Sequence, residues 1–422
     1  MLSSLFYNKA MPKIGIKIGV RKSGAFSWSR WWASRCDTWH TEYVDCRVEV
    51  LNLTINEKTN IDYKYTANWL IEAQRNNYAV AIKDSYLWYS LDNSLSFIRG
   101  VAIPAVVKSV FLFNTGTVLF ATQNKIYRST DMLQSYTEII VNDTDGNPIN
   151  LTNPGQYFRQ LQPDNVVIIN GIEHLMWGPY TNIVGNSEVN IYHTYNDGQT
   201  ITMIYQFGQN ANYDSYGDPT NPYECRHVHA INYNPNTGKW IIQTGDSGAA
   251  PPFNDECHWI EVTWNGGMNY IFDYLKTGDE EDYWKTTGMF FDSNNNVKWG
   301  SDSSIGAKMG IWGVPYDDIT DEGEYVELYD FNVDMVGFLQ QNNNILSMPI
   351  SFNTLEPRII ISKDNGENFV IVDSTELDLL PNPIGLFKVF PQNNQEYFLL
   401  KCYFSGGFGG LEIEKSLLVK IK

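Results

Sequence analysis

Residues Ile360–Ile371 read IISKDNGENFVI, and this stretch decides the fold. β-branched residues flank a turn carried by Ser362, Asp364, Asn365 and Gly366, which spells strand, tight turn, strand. The pattern is Ser-x-Asp-x-Gly-x-x-aromatic. Asp364 is placed to accept hydrogen bonds from the backbone N–H groups of its own turn. Gly366 supplies a positive φ without a Cβ clash, and Phe369 returns to the core.

Working outward, related turns precede it. Ser90, Asp92 and Phe97 hold their places in YLWYSLDNSLSFIRG, with Ser94 where glycine stood. Ser129, Asp131 and Tyr136 form another copy. Thr194, Asn196, Asp197, Gly198 and Thr200 form a third, and Thr263, Asn265, Gly267 and Tyr270 a weaker fourth. The first residues of the five copies are separated by 39, 65, 69 and 99 residues. The shortest gap holds one four-stranded unit, and the longest leaves room for a unit without the motif. That unit falls on TGMFFDSNNNVKWGSDSSIGAKMGIWGVPY, and a last one runs from IGLFKVFPQNNQEYFLL to SLLVKIK.

The Ser-x-Asp-x-Gly-x-x-Phe hairpins at this spacing resemble the Asp-box, or BNR, repeats of sialidase-like β-propellers, over roughly residues 60–422. The fold expected is therefore all-β: a six- or seven-bladed β-propeller with an N-terminal arm, divided as 1–45 and 46–422. Closing the ring needs strands from both ends of the chain, and the alternating CRVEVLNLTI at 46–55 is the natural candidate. RHVHAINYNPNTGKWIIQTGD, with the FF strand and WGSD that follow, also resembles bacterial and phage propellers described as glycosidase-like. The IGIKIGVRKSG start and its Trp/Ser/Arg sequel resemble N-termini of virion proteins from crAss-like tailed gut phages.

Composition sets bounds on function. The chain has 422 residues, 43% of them hydrophobic and 14% aromatic, enough for a large core. Only 18% are charged, and the net charge is −18, which argues against a general nucleic-acid surface. No stretch approaches 18 consecutive apolar residues, and no secretory signal is seen. The expectation is assembly in a host cytoplasm and a place in a virion. Five cysteines, Cys36, Cys46, Cys225, Cys257 and Cys402, form no CxxC pair; Cys36–Cys46 or Cys225–Cys257 would pair only if the folded geometry allowed.

Residues 1–45 stand apart. Lys13, Lys17, Arg21 and Lys22 make the segment basic in an acidic chain, and Trp28, Trp31, Trp32 and Trp39 crowd within a dozen residues. Such a segment is either a strand pair packed on the body or a docking arm, since Trp and Arg anchor interfaces. Docking is preferred here, through Trp28, Arg30, Trp31, Trp32 and Arg35 onto other virion proteins in a multi-copy assembly.

In the resembled family the Asp-box fixes a turn remote from the ligand face, so it speaks for fold rather than activity. A sialidase also needs three arginines, a Tyr–Glu nucleophile pair and an acidic aspartate. Arg99 in FIRGVAIP only distantly matches the first arginine motif, and no Tyr–Glu pair can be assigned. Other glycoside hydrolysis would use paired carboxylates, for which Asp246 and Asp302 are candidates; the preferred reading is that each caps its own turn. Cys225, His227 and His229 alternate along one strand face, and Cys257–His258 on a neighbouring strand would complete a metal set. The same residues with Asp246 otherwise form a ligand-facing patch, or simply pack. NDTDGNP at 142–148 lacks a full cation-loop spacing and reads as a turn. The resulting expectation is a non-enzymatic structural or adsorption protein without cofactor, binding virion partners or a host surface glycan. The alternatives are a carbohydrate-active hydrolase and a glycan-binding lectin.

Overall fold

The computed structural model describes residues 48–50, 56–57, 61–67, 69–122, 124–149, 151, 167–179, 189–207, 225, 227–245, 257–278, 284–301, 310–329, 334–341, 344–350, 359–372, 385–387, 397–405 and 411–422. They form seven separate sheets of four or five strands. Blade 1 consists of Leu70–Arg75, Tyr78–Lys83, Tyr86–Ser90 and Ser96–Ala102, and blade 2 of Ser109–Leu112, Val118–Ala121, Ile126–Ser129 and Thr137–Ile139. Blade 3 holds Val167–Ile169, Ile172–Trp177, Asn190–Thr194 and Ile201–Gln206. Blade 4 holds His227–Asn234, Lys239–Gly245, Cys257–Trp264 and Tyr270–Gly278. Blade 5 runs through Thr286–Phe291, Asn296–Ser301, Gly310–Pro315 and Val326–Tyr329. Blade 6 runs through Asp334–Gln341, Asn344–Ile350, Ile359–Ser362 and Val370–Val372. The described residues make seven blades of a β-propeller, the higher of the two expected blade counts.

Blade 7 explains the closure. Gly385–Phe387, Phe398–Ser405 and Leu411–Ile421 receive their outer strand from Ile61–Ala67, with Ile61 opposite Ile421 and Ala67 opposite Lys415. The closing strand is thus 61–67, not 46–55 as the alternation suggested. Within that earlier stretch, Val48–Val50 instead adds a fifth strand to the outer edge of blade 1, opposite Ser96–Ile98. Asn56–Glu57 adds a fifth strand to blade 7. The segment therefore crosses the closure seam from outside, and Glu49 forms an ion pair with Lys83 of blade 1. Ser416 of blade 7 also bonds the Ile71 amide of blade 1 at 2.9 Å. The proposed 1–45 arm lies outside the described residues.

The core sits between blades rather than within them. Side chains alternate along a strand, so each strand of a sheet covered on both faces supplies two interfaces. In WIIQ, Trp240 and Ile242 pack with Ile191 and Phe207 of blade 3, whereas Ile241 packs with Met289 and Trp299 of blade 5. Ala79 and Ala81 join Leu399 and Leu418 of blade 7, while Val80 between them joins Val110 and Phe120 of blade 2. This accounts for runs such as VLFA and IIIS, where every residue is buried.

Four of the five turn motifs close as the sequence implies, each joining the third and fourth strands of a blade. In blade 6, the Ser362 hydroxyl donates to Asp364 at 2.7 Å and accepts from the Gly366 amide at 2.9 Å. Asp364 in turn accepts from the amide and side chain of Asn368. Ser129 with Asp131, and Ser90 with Asp92, repeat the geometry in blades 2 and 1. Thr194 and Asn196 give a version with fewer bonds in blade 3. The fourth motif differs: Asn265 and Asn269 close its turn through their backbones. Blade 5 carries no such motif, as expected; two short 3-10 turns, Tyr316–Asp318 and Glu322–Glu324, join its outer strands. The same carboxylate closure appears at Asp292–Asn296 and at Asp143–Asn147, so NDTDGNP is indeed a turn.

These turns also dock neighbouring blades. In the four motifs closed by side chains the two central residues have positive φ, including Asn365 at 57° and Gly366 at 80°. A Cβ on Gly366 would stand 2.6 Å from the Phe290 ring of blade 5, and one on Gly198 would stand 2.6 Å from Leu119 of blade 2. Lys298 of blade 5 donates to the Asn365 and Gly366 carbonyls, and Arg128 of blade 2 to the Asp197 carbonyl. In blade 2 the same positions are Met132 at 60° and Leu133 at 58°, where a side chain is disfavoured. Met132→Asn is therefore expected to stabilise the protein by about 0.5–1 kcal/mol, because Asn tolerates this backbone. Asp364→Ala is expected to cost about 1–2 kcal/mol through its lost turn bonds. Urea unfolding midpoints check both signs.

Candidate functional site

His227–Asn234 is the innermost strand of blade 4, pairing with Lys239–Gly245. Its register shifts between Val228 and Ala230, and both histidines are fully buried. Their rings stack at 4.9 Å, with Nε2 atoms 3.0 Å apart. The Nδ1 of His229 lies 2.9 Å from the Thr286 carbonyl of blade 5. A carbonyl only accepts, so His229 carries its proton on Nδ1 and its Nε2 accepts from His227. The pair thereby ties blade 4 to blade 5. Its room comes from Gly245, where a Cβ would stand 2.1 Å from the His229 ring.

The candidate metal set of Cys225, His227, His229, Cys257 and His258 does not assemble. Cys225 packs in the core shared with blade 3, whereas Cys257 packs in the core shared with blade 5. The two cysteines lie on opposite faces of blade 4 as buried thiols, so the Cys225–Cys257 disulfide is not formed. The Cys225 thiol donates to the His227 carbonyl, and His258 bonds Thr277 of its own blade. Among the described residues, no group of three His, Cys, Asp or Glu is arranged to hold a metal ion. Asp246 and Asp302 lie outside the described residues, as do Cys36, Cys46 and the arm residues Trp28, Arg30, Trp31, Trp32 and Arg35. The preceding residues, Gly245 and Ser301, end the second strands of blades 4 and 5, at the ends opposite the Ser-x-Asp turns.

A Tyr–Glu pair exists that no sequence pattern assigns. Tyr316, in the first 3-10 turn of blade 5, donates to Glu261, which also pairs with Lys239 of blade 4. Burial, then the Glu261 hydrogen bond, raises the Tyr316 pKa, which is the wrong direction for a nucleophile. The pair sits near the strand 3–4 connections. The described arginines do not converge on it. Arg75 is buried against Glu173 and Phe111, Arg128 bonds the blade 3 turn, and Arg99 lies over Tyr86 on an outer strand.

Sequence reasoning missed a second imidazole pair. His174 and His193 lie on neighbouring strands of blade 3, Nδ1 to Nε2 at 3.0 Å. The other nitrogen of His193 meets the Tyr270 hydroxyl of blade 4 at 2.6 Å. Tyr195, Trp240 and Trp264 ring the pair. Burial lowers the His174 pKa to about 4, and burial with the neighbouring His174 lowers His193 to about 3. No periodicity links these positions, so only the pairing of strands brings them together.

No protein-family model matches the chain, and a search of curated proteins found no match. Among solved structures, an oligogalacturonate lyase in complex with manganese is similar at 8% identity and a TM-score of 0.47, covering 89% of this chain and 98% of that one. A GH74 enzyme from Niastella koreensis follows at 12% identity and 0.43, with 83% and 54% covered. A calcium-binding regucalcin from Agrobacterium tumefaciens strain C58 gives 10% identity and 0.39, with 75% and 91% covered. The class is that of the β-propellers, on the strength of the seven sheets.

Gly245→Ala is expected to displace His229 and destabilise the protein by roughly 2–4 kcal/mol, as overpacking at a rigid backbone does. Its thermal midpoint should fall, with less loss when His229→Ala is added.

Proposed function

We propose that this chain is a non-enzymatic structural or adsorption protein of a tailed-phage virion. In this reading residues 1–45 dock on another virion protein and the ring serves assembly or host-glycan binding. The observation that carries it is the use made of the described ionisable side chains. His227 and His229 tie blade 4 to blade 5, Glu261 and Tyr316 do so again, and Arg75 with Glu173 links blades 1 and 3. These groups hold blades together, and none faces a shared reaction centre.

The point of entry supports the docking part. Val48–Val50 lies on the outer edge of blade 1, so a partner gripping the preceding residues pulls on the rim at the closure seam. No helix among the described residues is long and apolar enough to cross a membrane.

Deletion of residues 1–45 should abolish incorporation into particles while leaving the thermal midpoint of the ring nearly unchanged. Normal incorporation of the truncated chain overturns the docking role. A carbohydrate-active hydrolase is the second reading, favoured by the strand ends at Gly245 and Ser301, which immediately precede Asp246 and Asp302 in adjacent blades. A glycan-hydrolysis screen is expected to give no turnover. Activity abolished by Asp246→Asn or Asp302→Asn would establish the rival.

A further inference from the structure

We propose that the His174–His193 pair makes the joint between blades 3 and 4 an acid-sensitive seam that loosens when the pair takes up a proton. The cluster has three nitrogen positions that matter: His174 Nε2, the shared contact between His174 Nδ1 and His193 Nε2, and His193 Nδ1 facing the Tyr270 hydroxyl. The neutral pair has two arrangements. In one, both Nδ1 atoms carry protons and His174 Nε2 is bare; in the other, both Nε2 atoms do.

A cation leaves no choice. If His193 is the imidazolium, it donates to His174 Nδ1, and the His174 proton must move to Nε2. If His174 is the imidazolium, Nε2 is protonated as well. Every singly charged state therefore carries an N–H on His174 Nε2, a buried atom without a hydrogen-bond partner among the described residues. A buried donor of a charged ring with no acceptor is strongly disfavoured.

Among the described residues, the surroundings offer no compensating charge. Tyr270 from the outer strand of blade 4 and Tyr195 from the blade 3 turn are the titratable groups against the pair, and burial raises the pKa of Tyr270. Trp240 and Trp264 from the other blade 4 strands are neutral. Glu173, next to His174 in sequence, is occupied by Arg75 and the Asn114 amide.

The sign follows from linkage. Folded-state values of about 4 and about 3 lie below the ordinary 6.5, so unfolding takes up protons. The contribution of the pair is fully present above 6.5 and is lost as pH falls towards those values. Roughly a tenfold rise in the opening constant per pH unit is expected for each histidine that titrates on opening. The turn carboxylates Asp143, Asp292 and Asp364, whose pKa values are lowered below 3.8, act only at more acidic pH. The two effects separate between about pH 6 and 4.5.

The experiment is peptide-resolved hydrogen exchange on the full chain between pH 7 and 4.5, corrected for intrinsic exchange rates. It is paired with NMR titration of the imidazoles. Expected is a loss of protection of at least tenfold in 172–177, 190–206 and 257–278, before blades 1 and 2 respond. His174→Gln with His193→Gln should flatten that dependence, and Tyr270→Phe should leave it in place. Uniform loss over all blades, ordinary titration of both imidazoles near 6.5 with unchanged protection, or an undiminished slope in the glutamine variant each overturns the proposal. Should the double variant fold poorly, the wild-type titration and exchange pattern still decide.

Discussion

Burial of both faces of each blade is the constraint on which this structure depends. A strand alternates its side chains, so a sheet wedged between two others must be apolar at nearly every position. Trp240 and Ile242 serve one neighbour and Ile241 the other, within three consecutive residues. The large aromatic content follows, since Trp88, Trp177, Trp240, Trp259 and Trp299 are all nearly or fully buried. It also follows that a polar residue placed in such a strand falls into an interface and needs a partner there. The two histidine pairs, Arg75 with Glu173, and Glu261 with Tyr316 and Lys239 are all answers to that need.

The turns answer a second demand, that blades be set close enough to pack. Side-chain closure by Ser and Asp lets two residues in succession take positive φ, which brings the turn backbone against the preceding blade. Glycine at 198 and 366 serves this contact as much as the turn itself. Blade 2 solves the same problem with Leu133, buried at positive φ, while Gly100 of blade 1 leaves room for it. The motif thus acts between blades, which its spelling alone does not reveal.

What the sequence disclosed was local. The hairpin at Ile360–Ile371 and three of its four relatives were legible because each turn is closed by residues within ten positions of one another. The closing strand was not, because 46–55 and 61–67 both carry strand-forming residues and register is chosen by a partner more than 350 residues away, as for Ile61 and Ile421. The candidate site split in the same way. His227 and His229 were visible from their alternation, but their direction towards Thr286 depends on a register shift. The pairs His193–Tyr270 and Glu261–Tyr316 are 77 and 55 residues apart, beyond any sequence pattern. Whether Cys225 and Cys257 could pair was open in the sequence, because nothing local shows that they belong to opposite faces of one sheet.

Ring closure by residues 61–67 underlies the blade count, the placing of the fifth strands and the seam at which the proposed arm enters. A pair of engineered cysteines tests it most directly. Tyr65→Cys with Leu417→Cys joins positions that face each other across blade 7, whereas Val50→Cys with Leu417→Cys joins strands assigned to different blades. Mild oxidation should cross-link the first pair, shown by a reducible shift in gel mobility, and spare the second. Cross-linking of the second pair alone would contradict the closure and the architecture built on it.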